Sequence, residues 1–83
     1  MNNQKNAKDN SVHLGNDFYC EASEILYIIP MDSSAAKKLK QTAERDGTLL
    51  NCAGNRTTNS VLICKSGLVL LSILKPKEIN KQK

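Results

Sequence analysis

ILYIIPMDSSAAKKLKQTAERDG, residues 25–47, decides the fold class. Ile25 to Ile29 are β-branched, aromatic or aliphatic, a composition that suits a pleated surface, and Pro30 stops the run. Asp32, Ser33 and Ser34 are all competent helix N-caps, and strong helix formers follow through Arg45. Ala35, Leu39 and Ala43, flanked by Ala36 and Thr42, recur at helical spacing and give one narrow apolar stripe. Gly47 stands where a helix-ending glycine belongs. The segment is therefore a strand followed by one amphipathic helix.

Working outward, FYC at 18–20 gives a short strand before this unit, and three apolar segments follow it: TLLNC at 48–52, SVLIC at 60–64 and LVLLSIL at 68–74. Each is too short for a helix with its caps and rich in Val, Ile and Leu. Lys65-Ser66-Gly67 is a tight turn joining the last two into a hairpin. Pro76 closes the final strand. The expected fold is a small α+β domain, β-β-α-β-β-β, with a mostly antiparallel sheet and one helix covering a face.

The 83 residues allow one domain. Residues 1–11, MNNQKNAKDNS, have two apolar side chains and no periodicity, and read as a disordered N-terminal tail. The domain is expected over 12–77, and 78–83 as a basic C-terminal tail. In ILYII and LVLLSIL neither parity is polar except at Ser72, so both faces of these strands need cover. One helix covers only one face. A neighbouring subunit is the simplest remaining cover, which predicts a homo-oligomer.

Cys20, Cys52 and Cys64 are odd in number and widely spaced, which suggests neither a disulfide framework nor a zinc site. Buried reduced thiols are the plain reading; a redox sensor would want an exposed low-pKa thiolate, and only Lys65 stands beside one of them. His13 is the single histidine and has no nucleophile or carboxylate at readable spacing, so it is read as a structural or surface residue and the chain as a non-enzyme with no catalytic residue. No metal ligands, cofactor motif, signal-peptide core, membrane span or small-molecule substrate site is indicated, and a cytoplasmic location is expected.

Charge is uneven. Residues 1–11 carry net +1, residues 12–50 net −2, and residues 51–83 net +5. The basic excess is either a solvated surface or a contact for a polyanion, most obviously nucleic-acid phosphate. Two tyrosines and one phenylalanine do not make a base-stacking platform. Lys37, Lys38 and Lys40 lie away from the apolar stripe, a face that is either solvated or phosphate-binding.

Taken together, VHLGND at 12–17, EILYII at 24–29, DSSAAKK at 32–38, AERDG at 43–47, the SVLIC strand and LLSILKP at 70–76 resemble the bacterial RemA/RemB extracellular-matrix regulator family. The order and spacing of the pieces carry the likeness. The H-L-G opening is closer to the RemB branch, and the helix after M-D-S-S to the RemA branch. The resemblance implies a fold related to LytTR domains and a DNA-binding transcription regulator of biofilm matrix genes, assembled as a ring around whose rim double-stranded DNA wraps. It also implies that the loop after the third expected strand meets DNA through arginines. Here that loop is AGNRTTNS, residues 53–60. Arg56 matches one arginine of the motif, while Asn55, Thr57 and Asn59 stand where glycine or arginine is expected, and Glu24 where a base is expected. The DNA-binding candidates are therefore Arg56 to phosphate, with Asn55, Thr57, Thr58 and Asn59 adding neutral hydrogen bonds. The competing reading is an oligomeric scaffold that binds a protein partner.

Overall fold

A computed structural model describes residues 11–82. Expectations about the first ten residues lie outside them. The elements run β1 (Ser11–Gly15), β2 (Phe18–Glu21), a single 3-10 turn (Ala22–Glu24), β3 (Ile25–Pro30), α1 (Ser34–Asp46), β4 (Leu49–Asn51), β5 (Ser60–Cys64), β6 (Val69–Ser72) and α2 (Pro76–Asn80). The fold is a small α+β unit with one main helix. β1 and β2 form an antiparallel hairpin, and the other four strands form a sheet in the order β3-β5-β6-β4. All pairings are antiparallel except β4 with β6.

The central segment folds as its punctuation dictates. The Ser33 hydroxyl accepts from the Ala36 amide at 3.2 Å and donates to the Pro30 carbonyl at 2.8 Å, tying the helix start to the strand end. Gly47 ends α1 in the left-handed conformation, and the Thr48 amide returns to the Ala43 carbonyl at 2.9 Å. The buried stripe, however, is Ala36 and Ala43 with Leu39 half-buried, while Ala35 is exposed. The stripe is set by which residues meet the sheet, and small side chains there let α1 lie close against Val61, Val69 and Leu71.

On the opposite face, alternate residues of the same strands, Leu62, Cys64 and Leu70, pack with Val12 and Leu14 of β1, Cys52 and Ile79 of α2. This corrects three expectations. An additional strand, β1, precedes FYC, beginning at Ser11 inside the expected tail. Pro76 does not merely close a strand; it begins a helix, where proline's fixed φ suits the first turn. The basic tail expected from residue 78 instead contains fully buried Ile79, and the Gln82 side chain exchanges two hydrogen bonds with the backbone of His13, at 2.7 and 2.8 Å. All four residues of β6 are consequently buried within one chain. Its second face is covered by β1 and α2, so β6 gives no reason for a neighbouring subunit. Ser72 is accommodated because its hydroxyl donates to the Leu14 carbonyl at 2.7 Å and accepts from the Leu74 amide at 3.0 Å.

The hairpin is held against the sheet by a close approach at Gly15. With φ +100° and Ile73 directly over it, any Cβ there would overlap the Ile73 side chain. Glycine is required at this position on both counts.

Candidate nucleic-acid interface

The loop between β4 and β5 is anchored at both ends and exposed at its tip. Cys52 and Ala53 are buried, and the Cys52 amide extends the ladder to the Leu71 carbonyl at 3.0 Å. Asn51 organises the turn: its side-chain oxygen accepts from the amides of Ala53 and Gly54, at 2.9 and 3.1 Å, and its amide group donates to the Gly54 carbonyl at 3.3 Å. Asn16, from the β1–β2 turn, donates to the Cys52 carbonyl at 2.9 Å. The turn closes with the Arg56 amide donating to the Ala53 carbonyl at 3.0 Å, around a Gly54 whose φ of +62° disfavours other residues. A long cationic side chain thus sits on a backbone held by six hydrogen bonds.

The five expected DNA-facing residues divide into three groups. Asn55, Arg56 and Thr57 are exposed at the tip. Thr58 is half-buried. Asn59 is a clamp: its side-chain amide donates to the Ile73 carbonyl at 2.8 Å, its backbone amide to the Ser72 carbonyl at 2.8 Å, and its carbonyl accepts from the Met31 amide at 3.1 Å. It joins the ends of β3 and β6, a structural duty that the expectation of a phosphate-binding Asn59 leaves out. Asn16 and Asn51 were not among the expected residues; the only signal for Asn51 was an asparagine beside small residues. Among the described residues the sole ion pair is Arg45 with Asp46, at 3.7 Å on the surface, so Arg56 has no carboxylate partner there.

Lys65 lies elsewhere. Its amide donates to the Glu24 carbonyl at 2.8 Å, next to the Ile25–Cys64 pairing where β3 begins. The Arg56 loop joins the sheet where β3 ends, at Pro30 and Ser60. The two turns are at opposite ends of the sheet, and Glu24 shares the Lys65 end.

The other reactive groups are built into the packing. Burial pushes the thiols of Cys20, Cys52 and Cys64 up from their usual 9.0, Cys64 to about 11, with the charge of neighbouring Cys20 next in importance for Cys64. These are protonated thiols in a core, not thiolates. The His13 ring nitrogen Nε2 lies 3.0 Å from the Asn16 carbonyl and the ring packs on Tyr19 with centroids 4.9 Å apart. No helix among the described residues is long and apolar enough to cross a membrane.

Comparison with known proteins gives a consistent picture. A family model described as extracellular matrix regulatory protein A-like, RemA-like, matches residues 11–82. A protein of Leptospira biflexa, provisionally named a regulatory protein, is 38% identical over 60 residues; the match covers 72% of this chain and 64% of that protein, just under two thirds of its length. Proteins with the same provisional name from Nitratidesulfovibrio vulgaris and Caldicellulosiruptor saccharolyticus are each 30% identical, over 71 and 79 residues, covering 86% and 95% of this chain and 83% and 76% of theirs.

Proposed function

Because this chain belongs to the RemA-like family of extracellular matrix regulatory proteins, we propose that it regulates matrix genes by binding double-stranded DNA as a homo-oligomer in the cytoplasm. The observation that carries the reading is Arg56, exposed and without a carboxylate partner among the described residues, on a turn whose base is fixed by Asn51, Asn16 and buried Cys52. Fixing the turn in advance reduces the ordering entropy that a mobile loop would lose on meeting a phosphate. Asn55 and Thr57 flank the arginine and supply neutral hydrogen bonds to the same backbone.

One arginine per chain attaches DNA weakly, and repetition is what makes it effective. The open edges of the four-stranded sheet are two different strands, β3 and β4. Copies joined through unlike patches build head-to-tail arrays, which become rings when the rotation closes. A ring repeats Arg56 at regular intervals, so a duplex following the rim meets several guanidinium groups and gains by multivalency.

The test is duplex binding measured by fluorescence anisotropy across a salt titration, with Arg56→Ala and Lys65→Ala compared. Wild type should bind at low salt and release steeply as salt rises, and Arg56→Ala should flatten the slope by about 0.9 for each phosphate that is no longer neutralised. Lys65→Ala, at the other end of the sheet, should behave as wild type. Equal binding by Arg56→Ala removes the loop from the interface. Absence of binding by wild type at low salt favours the scaffold reading, which the neutral residues around Arg56 would then explain.

A further inference from the structure

Beside the Arg56 loop, an open groove of about 450 Å³ lies between the end of β3, the first turns of α1, and the Lys75–Pro76 junction. Met31 and Pro76 give it apolar walls, and Lys37, Lys75, Asp32 and Thr58 give it polar ones. Its volume falls within the roughly 300–1,000 Å³ usual for small-molecule sites, and more of its lining residues are polar than apolar, which suits a charged ligand.

These polar groups do not satisfy one another. The only ion pair among the described residues is Arg45–Asp46, so neither lysine is bridged to Asp32 although all three line the groove. The hydroxyl of half-buried Thr58 makes no hydrogen bond among the described residues, whereas the side-chain amide of its neighbour Asn59 is engaged with the Ile73 carbonyl. Two ammonium groups and a hydroxyl donate to an anion, and phosphate, with several acceptor oxygens, suits such a set. A single carboxylate on the same rim repels a bare anion but accepts from hydroxyl or amino groups. Apolar walls suit a ring.

We propose that this groove binds a small phosphate-bearing ligand of the nucleoside monophosphate class, its phosphate held by Lys37, Lys75 and Thr58 and its sugar hydroxyls or base amine by Asp32. Thr58 belongs to the loop that carries Arg56, so an occupied groove sets negative charge beside the arginine and weakens duplex binding. That second step rests on the DNA-binding reading above; the first does not.

The experiment follows backbone amides of the full chain by heteronuclear NMR while AMP, adenosine, inorganic phosphate or a short duplex is added separately. AMP should give saturable shifts at Asp32, Lys37, Thr58 and Lys75, with phosphate and adenosine acting on subsets of these residues more weakly. Lys75→Ala and Lys37→Ala should each weaken AMP about tenfold or more, the expected loss for one charge-assisted hydrogen bond. Both lysines are exposed, so melting temperature should hold, and Lys65→Ala should bind AMP as wild type does. Unsaturable shifts with AMP, undiminished AMP binding by both groove variants, or perturbation of these residues by duplex but not by AMP would each overturn the site. Saturating AMP should also lower duplex affinity; AMP that binds while duplex affinity stays constant overturns the regulatory step and leaves the site standing.

Discussion

β3 and β6 are both continuous apolar strands in one sheet, yet they end in different environments. β6 lies inside the sheet, between β5 and β4, and every one of its residues is buried, with α1 over one face and β1 with α2 over the other. β3 lies at the edge, and Leu26 and Tyr27 keep 49% and 64% of their surface exposed. Apolar residues on both faces do mean that both faces need cover, but the cover can come from within the chain. Only where a strand remains uncovered after folding does the same pattern point to another molecule.

The sharpest way to break the contrast is Leu70→Ala in β6. Leu70 packs in the cluster with Leu62, Val12 and Ile79, and its truncation leaves a cavity between sheet and hairpin. Chemical denaturation should show a loss of about 2–5 kcal/mol. A loss below about 1 kcal/mol would mean that the hairpin face is loosely packed.

Ile79→Ala removes the cover instead of the strand. Ile79 is fully buried although it belongs to a five-residue helix near the end of the chain. The expected destabilisation is about 2–3 kcal/mol, at the lower end of the usual range because a short terminal helix can settle into part of the vacated space. A solvated basic tail would give no change, so this variant separates the two accounts directly.

These corrections show what was legible in the sequence. Helix α1 was readable because its signals are local: Ser33 caps it, Gly47 ends it, and Pro30 separates it from β3. The β5–β6 hairpin was readable from Lys65-Ser66-Gly67 for the same reason. β1 was not, because Val12 and Leu14 are only two apolar residues following a polar run, and their partners are Leu62, Leu70 and Ile79, far along the chain. Pro76 was ambiguous in principle, since proline both ends strands and opens helices. Within the site, Arg56 stood out as a lone charge among small residues. The clamping role of Asn59 was not readable because the partner of its amide, the Ile73 carbonyl, is brought to it only by β5 pairing with β6. The groove was invisible because Lys37 and Lys75 are far apart in the chain and only the folded sheet brings them to one rim.

A third prediction concerns β5, which pairs with β3 on one side and β6 on the other. Cys64 there has its thiol pushed from 9.0 to about 11, first by burial. The folded state holds the proton more tightly than the unfolded chain does. Stability from this group is therefore complete below about pH 9 and is lost as pH rises through about 11. Melting temperature should fall across that window, and Cys64→Ala, whatever its own cost in packing, should flatten the fall. An equal slope in the variant would assign the alkaline loss to other groups.

The smallest effect on folding, and the most informative about assembly, is expected at β3. Leu26 and Tyr27 keep 49% and 64% of their surface exposed in the single chain, so replacing both with serine should cost the dilute protein only about 1–2 kcal/mol. If β3 is the uncovered edge through which copies join, the same double variant should lower the molar mass in solution toward the 9.2 kDa of one chain. It should also abolish any dependence of melting temperature on protein concentration, since association stabilises the folded state only when copies meet. Duplex binding should then fall along with assembly even though Arg56 is untouched, because each isolated chain presents a single arginine. An unchanged oligomer would move the interface away from β3, and a wild-type chain that is already monomeric would leave Leu26 and Tyr27 as surface residues and the Arg56 loop without the repetition that the DNA-binding reading needs.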